Sequence, residues 1–138
     1  MLDEAIWRLV ECGYLEMLRR PQPGRYYAVV SLAMAHINNY IAALNERREQ
    51  AINVIDQRAT RRFLNKPHSD CIEGTDGIHE LRTRGGIRFY YFFDGAALVV
   101  ITHAREHVNK RRVLAEGRRA ESLRAQFLSA KTNVKKKV

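Results

Sequence analysis

Apolar residues change their spacing several times along the 138-residue chain, and each change marks an element. Leu2, Ile6, Leu9 and Val10 recur at helical spacing behind an acidic first turn, so the pattern predicts an amphipathic helix over residues 2–18, with Gly13 as an early stopping point. Pro21-Gln22-Pro23-Gly24 is a stop and a linker. Residues 25–32 (RYYAVVSL) are aromatic and β-branched and read as a strand. Helical spacing returns from Ala33 to Leu64 in two stripes: Met34, Ile37, Tyr40, Ile41 and Leu44, then Ala51, Ile52, Ile55 and Leu64. With Asn45-Glu46 as the turn, this is a helical hairpin.

A loop over residues 65–76 precedes three short apolar runs, at 78–82, 87–93 and 97–103. Gly85-Gly86 separates the first pair and Asp94-Gly95 the second; both are hairpin-turn chemistry, so the runs predict a three-stranded antiparallel meander. A helix over about 110–131 follows, with a thin stripe of Val113, Ala120, Leu123 and Phe127. The expected fold is α+β: an antiparallel sheet of strand 25–32 plus the meander, packed by the helical hairpin, with an N-terminal and a C-terminal helix.

Strand alternation sorts the meander into faces. Arg88, Tyr90 and Phe92 share one side of their strand, and Ile87, Phe89, Tyr91 and Phe93 the other. The wholly apolar set is expected to face the helices, which leaves Arg82, Arg88 and Tyr90 on an open face beside Glu80. The N-terminal stripe is then expected to bury on the opposite side of the sheet, or against a second copy of the chain.

Charge adds a direction to this plan. Residues 1–102 hold 13 Lys and Arg against 12 Asp and Glu, whereas residues 103–138 hold 11 against 3, so nearly all of the net +9 is C-terminal. Such clustering is the footprint of a polyanion-binding surface. Arg105, Lys110, Arg111 and Arg112 follow directly on an apolar run and are the residues expected to bind a polyanion such as RNA; Lys135, Lys136 and Lys137 belong to a basic tail over 131–138. Cys12 and Cys71 fit neither a disulfide framework nor a zinc pattern, which suits a reducing cytoplasm. The acidic start differs from a secretory signal, and no apolar run is long enough to span a membrane. His103 and His107 are spaced for a metal on a helix, but no carboxylate or cysteine completes a set, so no metal or other cofactor is expected.

The stretch from Asp76 to Arg82, then Gly85 to Gly95 (GGIRFYYFFDG), resembles the phage-derived HigB-like branch of the RelE/HigB toxin superfamily. The family shows a pattern like DGLYELR…GGxYRVFYFFDG, then an apolar strand, a lysine-rich segment and a helix with spaced Glu and Ala. Val99 to Ala104 match the strand, and Glu116 and Ala120 match the helix. The resemblance covers residues 25–128 and implies a toxin domain over 25–130, with residues 1–24 as an extension. In place of the family's FxKKTQKTP this chain has residues 105–113 (REHVNKRRV), so the basic character is shifted to Lys110, Arg111 and Arg112.

The resemblance implies an endoribonuclease toxin of a toxin–antitoxin pair, acting on mRNA at the ribosome and neutralised by an antitoxin. Such enzymes use the RNA's own 2′-hydroxyl as nucleophile. The chemistry needs charge stabilisation at the phosphate, which arginine forks supply, and proton transfer at both ends. Arg88 is expected to stabilise the transition state and Arg82 to bind phosphate. His107 and Tyr90 are expected to move protons, with His103 a weaker candidate for the same work. Two other readings stay open: a relative that binds nucleic acid without cleaving it, and a phage accessory module that binds a host protein.

Overall fold

Asp3 starts the first helix by accepting a hydrogen bond from the Ala5 amide at 3.1 Å, and Glu4 and Arg8 pair along its surface. The helix, α1, is Glu4–Glu11. It ends earlier than 18 because Gly13 takes a left-handed φ of +83°, with Tyr14 N–H donating to Leu9 O and Gly13 N–H to Val10 O. This two-bond cap closes the last turn and frees the chain to extend. Leu15–Met17 is therefore not helix but a strand, β1, antiparallel to Tyr26–Val30, β2.

The computed structural model describes residues 2–17, 26–31, 71–82, 87–95, 97–106 and 109–136. The helical hairpin expected over 33–64 lies outside the described residues, as does His107. The meander stands where the turn chemistry put it: His79–Arg82 (β3), Ile87–Asp94 (β4) and Leu98–Glu106 (β5). Among the described residues the sheet has five strands in the order β1-β2-β5-β4-β3. The expectation of a wholly antiparallel sheet is corrected at one pairing. β2 runs parallel to β5, with Tyr26 opposite Leu98 and Val29 opposite Ile101, so the sheet is mixed. A parallel pair requires a long crossover, and residues 31–78 lie between β2 and β3.

The C-terminal helix, α2, is Lys110–Lys136; it starts at the Asn109 cap, whose side chain accepts from the Arg112 amide at 3.1 Å, and continues through residues 131–136. Its inward stripe is thin because charged residues interrupt it, and each of those charges finds a partner on the sheet side. Glu116 meets His103, Arg124 lies 5.8 Å over the Phe92 ring and 3.6 Å from Asp76, and Lys131 bonds Asp94 at 2.9 Å. Between them Ala120 and Phe127 are buried, Phe127 against Phe92 at 5.5 Å.

This packing overturns the expected open face. Arg88, Tyr90 and Phe92 do share a side, but Tyr90 and Phe92 lie in one core with Ile6 and Leu9 of α1, Ala120 and Phe127 of α2, and Val100 of β5. Both helices therefore sit on the Arg88 side of the sheet, α1 included. The apolar set that alternation sent toward the helices, Phe89 and Tyr91 among it, is buried as well. With both faces covered, alternation could not tell which one the helices take. No described helix is long and apolar enough to cross a membrane.

Candidate functional site

Alternation slips once on β5. Tyr90 pairs with His103, but the next residue, Tyr91, pairs with Ile101, which leaves Thr102 as an extra residue in a bulge. Without it, Thr102 and Ala104 would follow Leu98 and Val100 on the helix side. The bulge instead brings His103 and Arg105 there, His103 stacking on Tyr90 with ring centroids 4.6 Å apart and Arg105 reaching Glu116 of α2.

Two cross-strand rows result. Glu80, Tyr90 and His103 pair across β3, β4 and β5, and in the neighbouring row Arg82 pairs with Arg88 and Arg88 with Arg105. Three arginines thus occupy one line across the end of the sheet. Like charges opposite one another are destabilising unless an anion compensates. Glu80 does so for Arg88, with Oε1 accepting from Nη1 at 2.6 Å, and Glu116 does so for Arg105, at 3.5 Å from Nε. The Arg88 side chain is 14% exposed and that of Arg105 is 34% exposed, so Arg105 is the more open of the two.

The groups expected to move protons are differently placed. Tyr90 is 0% exposed; burial first, then the carboxylates of Glu80 and Glu116, push its hydroxyl up to about 12. Its Oη and Glu80 Oε2 are buried without a hydrogen-bond partner among the described residues. The expectation that Tyr90 is accessible is therefore corrected: the core formed with the two helices encloses it. His103 is 3% exposed, and burial pushes its pKa down to about 4 against the pull of Glu116. The ring is neutral near pH 7, with Nε2–H donating to Glu116 Oε2 at 2.7 Å. Thr102 Oγ1 lies 3.0 Å from Nδ1 and 3.2 Å from the Tyr90 carbonyl oxygen, so its one proton serves either acceptor.

Of the expected RNA-binding residues, Arg111 and Arg112 are exposed on the first turn of α2, and Lys110 opens that helix. Only residues 107–109 separate this turn from the end of β5, so the basic turn adjoins the arginine row along the chain. That turn holds no acid, and cations at a helix N-terminus oppose its dipole, leaving the local field strongly positive. Arg82 is placed by register beside Arg88, and His107 lies outside the described residues.

Three site residues escaped the sequence reading as functional: Glu116, Arg119 and Thr102. Glu116 had a signal, since it lies three residues after Val113 and four before Ala120, a carboxylate on an apolar stripe. Arg119 is exposed on α2 and its charge acts on His103. Nothing in the sequence marked Thr102 as a bulge. Comparison of the chain with protein-family models, with curated proteins and with solved structures finds no match in any of the three.

Proposed function

We propose that the chain is a RelE-like toxin, an endoribonuclease that cleaves mRNA by attack of the RNA's own 2′-hydroxyl without a metal. The observation that carries this reading is the row Arg82–Arg88–Arg105, three arginine positions in register on adjacent strands. Guanidinium groups bind phosphate oxygens bidentately and stabilise the extra charge of a pentavalent phosphorus. The basic first turn of α2, with Lys110, Arg111 and Arg112, extends that field along the RNA backbone. The 2′-oxygen gives up its proton as it bonds to phosphorus, the bond from phosphorus to the 5′-oxygen of the next nucleotide breaks, that oxygen takes a proton to leave as a 5′-hydroxyl, and a 2′,3′-cyclic phosphate remains. Proton transfer falls to His107, because Tyr90 keeps its proton and His103 is held by Thr102 and Glu116. In this reading the protein works in the cytoplasm, at the ribosome, and an antitoxin restrains it.

A second reading has its own observation. Tyr90 and His103 are buried, and both arginines with described side chains are already matched by carboxylates. These features suit a relative that binds RNA and does not cleave it. Expression in a bacterial host separates the two. The toxin reading expects growth arrest that Arg88→Ala relieves, whereas unarrested growth with retained RNA binding favours the second.

A further inference from the structure

We propose that Glu116 is a built-in occupant of the phosphate's place, so that α2 holds the arginine row self-blocked until an RNA phosphate displaces the carboxylate. The proposal rests on reading the row as a phosphate site.

The carboxylate's neighbours are phosphate ligands in kind. Its Oε2 accepts from His103 Nε2–H at 2.7 Å, and its Oε1 faces Arg105 Nε at 3.5 Å. A neutral histidine N–H beside a guanidinium is a donor set for an anion, whichever anion supplies the oxygens. Glu116 fills that set incompletely. A separation of 3.5 Å is beyond hydrogen-bond length, and Arg105 Nε is left buried with no hydrogen bond among the described residues. An RNA phosphodiester also presents two anionic oxygens, but on a tetrahedral centre that is not tethered to α2, so it can meet Arg105 and His103 together.

The two carboxylates of the site differ in how tightly they hold. Glu80 grips Arg88 with a charge-assisted bond of 2.6 Å from the neighbouring strand, fixed by the sheet ladder. Glu116 reaches in from a helix, its side chain 19% exposed beside an Arg105 that is 34% exposed, whereas Glu80 is 24% exposed beside an Arg88 that is 14% exposed. A phosphate arriving at Arg105, the more exposed of the two arginines with described side chains, therefore meets Glu116, whose hold on that arginine is the longer one. Arg119, one turn further along the exposed side of α2, keeps the approach positive.

The test is the affinity of the full chain for a 2′-O-methyl single-stranded RNA oligonucleotide, which has no free 2′-hydroxyl to attack with. Glu116→Gln is expected to bind roughly tenfold tighter, the worth of one additional charge-assisted hydrogen bond to the RNA. Glu121→Gln makes the same charge change on the same helix, where the described partners of Glu121 are Arg118 and the Asp76 amide rather than Arg105 or His103, and is expected to stay within about twofold of wild type. Glu116→Asp keeps the charge but withdraws the carboxylate by one methylene; it too should tighten binding, and it decides the matter if the glutamine variant fails to fold. Folded Glu116 variants that bind no tighter than the Glu121 control overturn the inference. If Arg88→Ala leaves the affinity of the wild-type background unchanged, the phosphate reading itself falls. If Arg88→Ala weakens binding while the Glu116 variants do not tighten it, only the self-blocking falls.

Discussion

Burial of the His103 ring disfavours its charged form by more than Glu116 restores, and the pKa falls to about 4 from an ordinary 6.5. The unfolded chain then takes up a proton that the folded chain refuses. Stability from this group is accordingly complete above pH 6.5 and is lost as pH falls from there toward 4. Denaturant midpoints measured between pH 7 and 4.5 should fall steadily for wild type and less steeply for His103→Gln. Identical slopes would show that the ring takes up its proton as readily in the folded chain as in the unfolded one. Arg88 is judged at the same scale: its removal leaves Glu80, a mostly buried carboxylate, without its partner. Arg88→Ala should cost about 1–3 kcal/mol of stability in chemical unfolding, and an unchanged midpoint would mean that the pair is solvated rather than holding β3 to β4.

At the scale of elements, close approach and charge decide what α2 tolerates. Gly117 lies in the helix interior, where alanine normally gains about 1 kcal/mol. A Cβ there would meet Thr75 Cγ2 at 2.8 Å, so Gly117→Ala is expected to destabilise by about 1–2 kcal/mol as the 71–78 segment is pushed away. A stabilised variant would show that this segment yields. The first turn of α2 gives a second check: replacing Lys110, Arg111 and Arg112 with alanine should flatten the salt dependence of RNA affinity by about two units, at roughly 0.7 per phosphate contact. An unchanged slope moves the RNA path elsewhere. Legibility also divides by element. The meander was readable because Gly85-Gly86 and Asp94-Gly95 are local turn signals. The end of α1 was half readable: Gly13 marked the stop, but Leu15–Met17 is too short a strand to show a period, and only its pairing with β2 makes it one. Arg105 joined the row through the Thr102 bulge, which shifts alternation by one residue and leaves no compositional trace.

The whole molecule binds its N-terminal residues more closely than an appended extension would be. Ile6 and Leu9 are buried in the core that holds Tyr90 and Phe92, and Asp3 reaches Lys135 of α2 at 2.7 Å. Leu9→Ala should therefore cost about 2–5 kcal/mol, and a thermal midpoint equal to wild type would show that α1 is dispensable. That placement was not legible, because an amphipathic stripe states that it must be buried and not where; the charged Arg88 face looked uninviting only while Phe92, Phe127 and Val100 were read apart. The mixed sheet was equally hidden, since strand direction depends on the long connection before β3 and not on β2 itself. Fold and charge converge on one place, the end of the sheet where Arg82, Arg88 and Arg105 stand in line. The most direct test of the account is cleavage of single-stranded RNA in excess chelator, comparing wild type with Arg88→Ala. Expected are metal-independent scission by wild type, products ending in 2′,3′-cyclic phosphate, no cut where the nucleotide is 2′-deoxy, and loss of cleavage in Arg88→Ala. RNA left intact by folded wild type both when free and when carried by translating ribosomes, or cut equally well by Arg88→Ala, would contradict it.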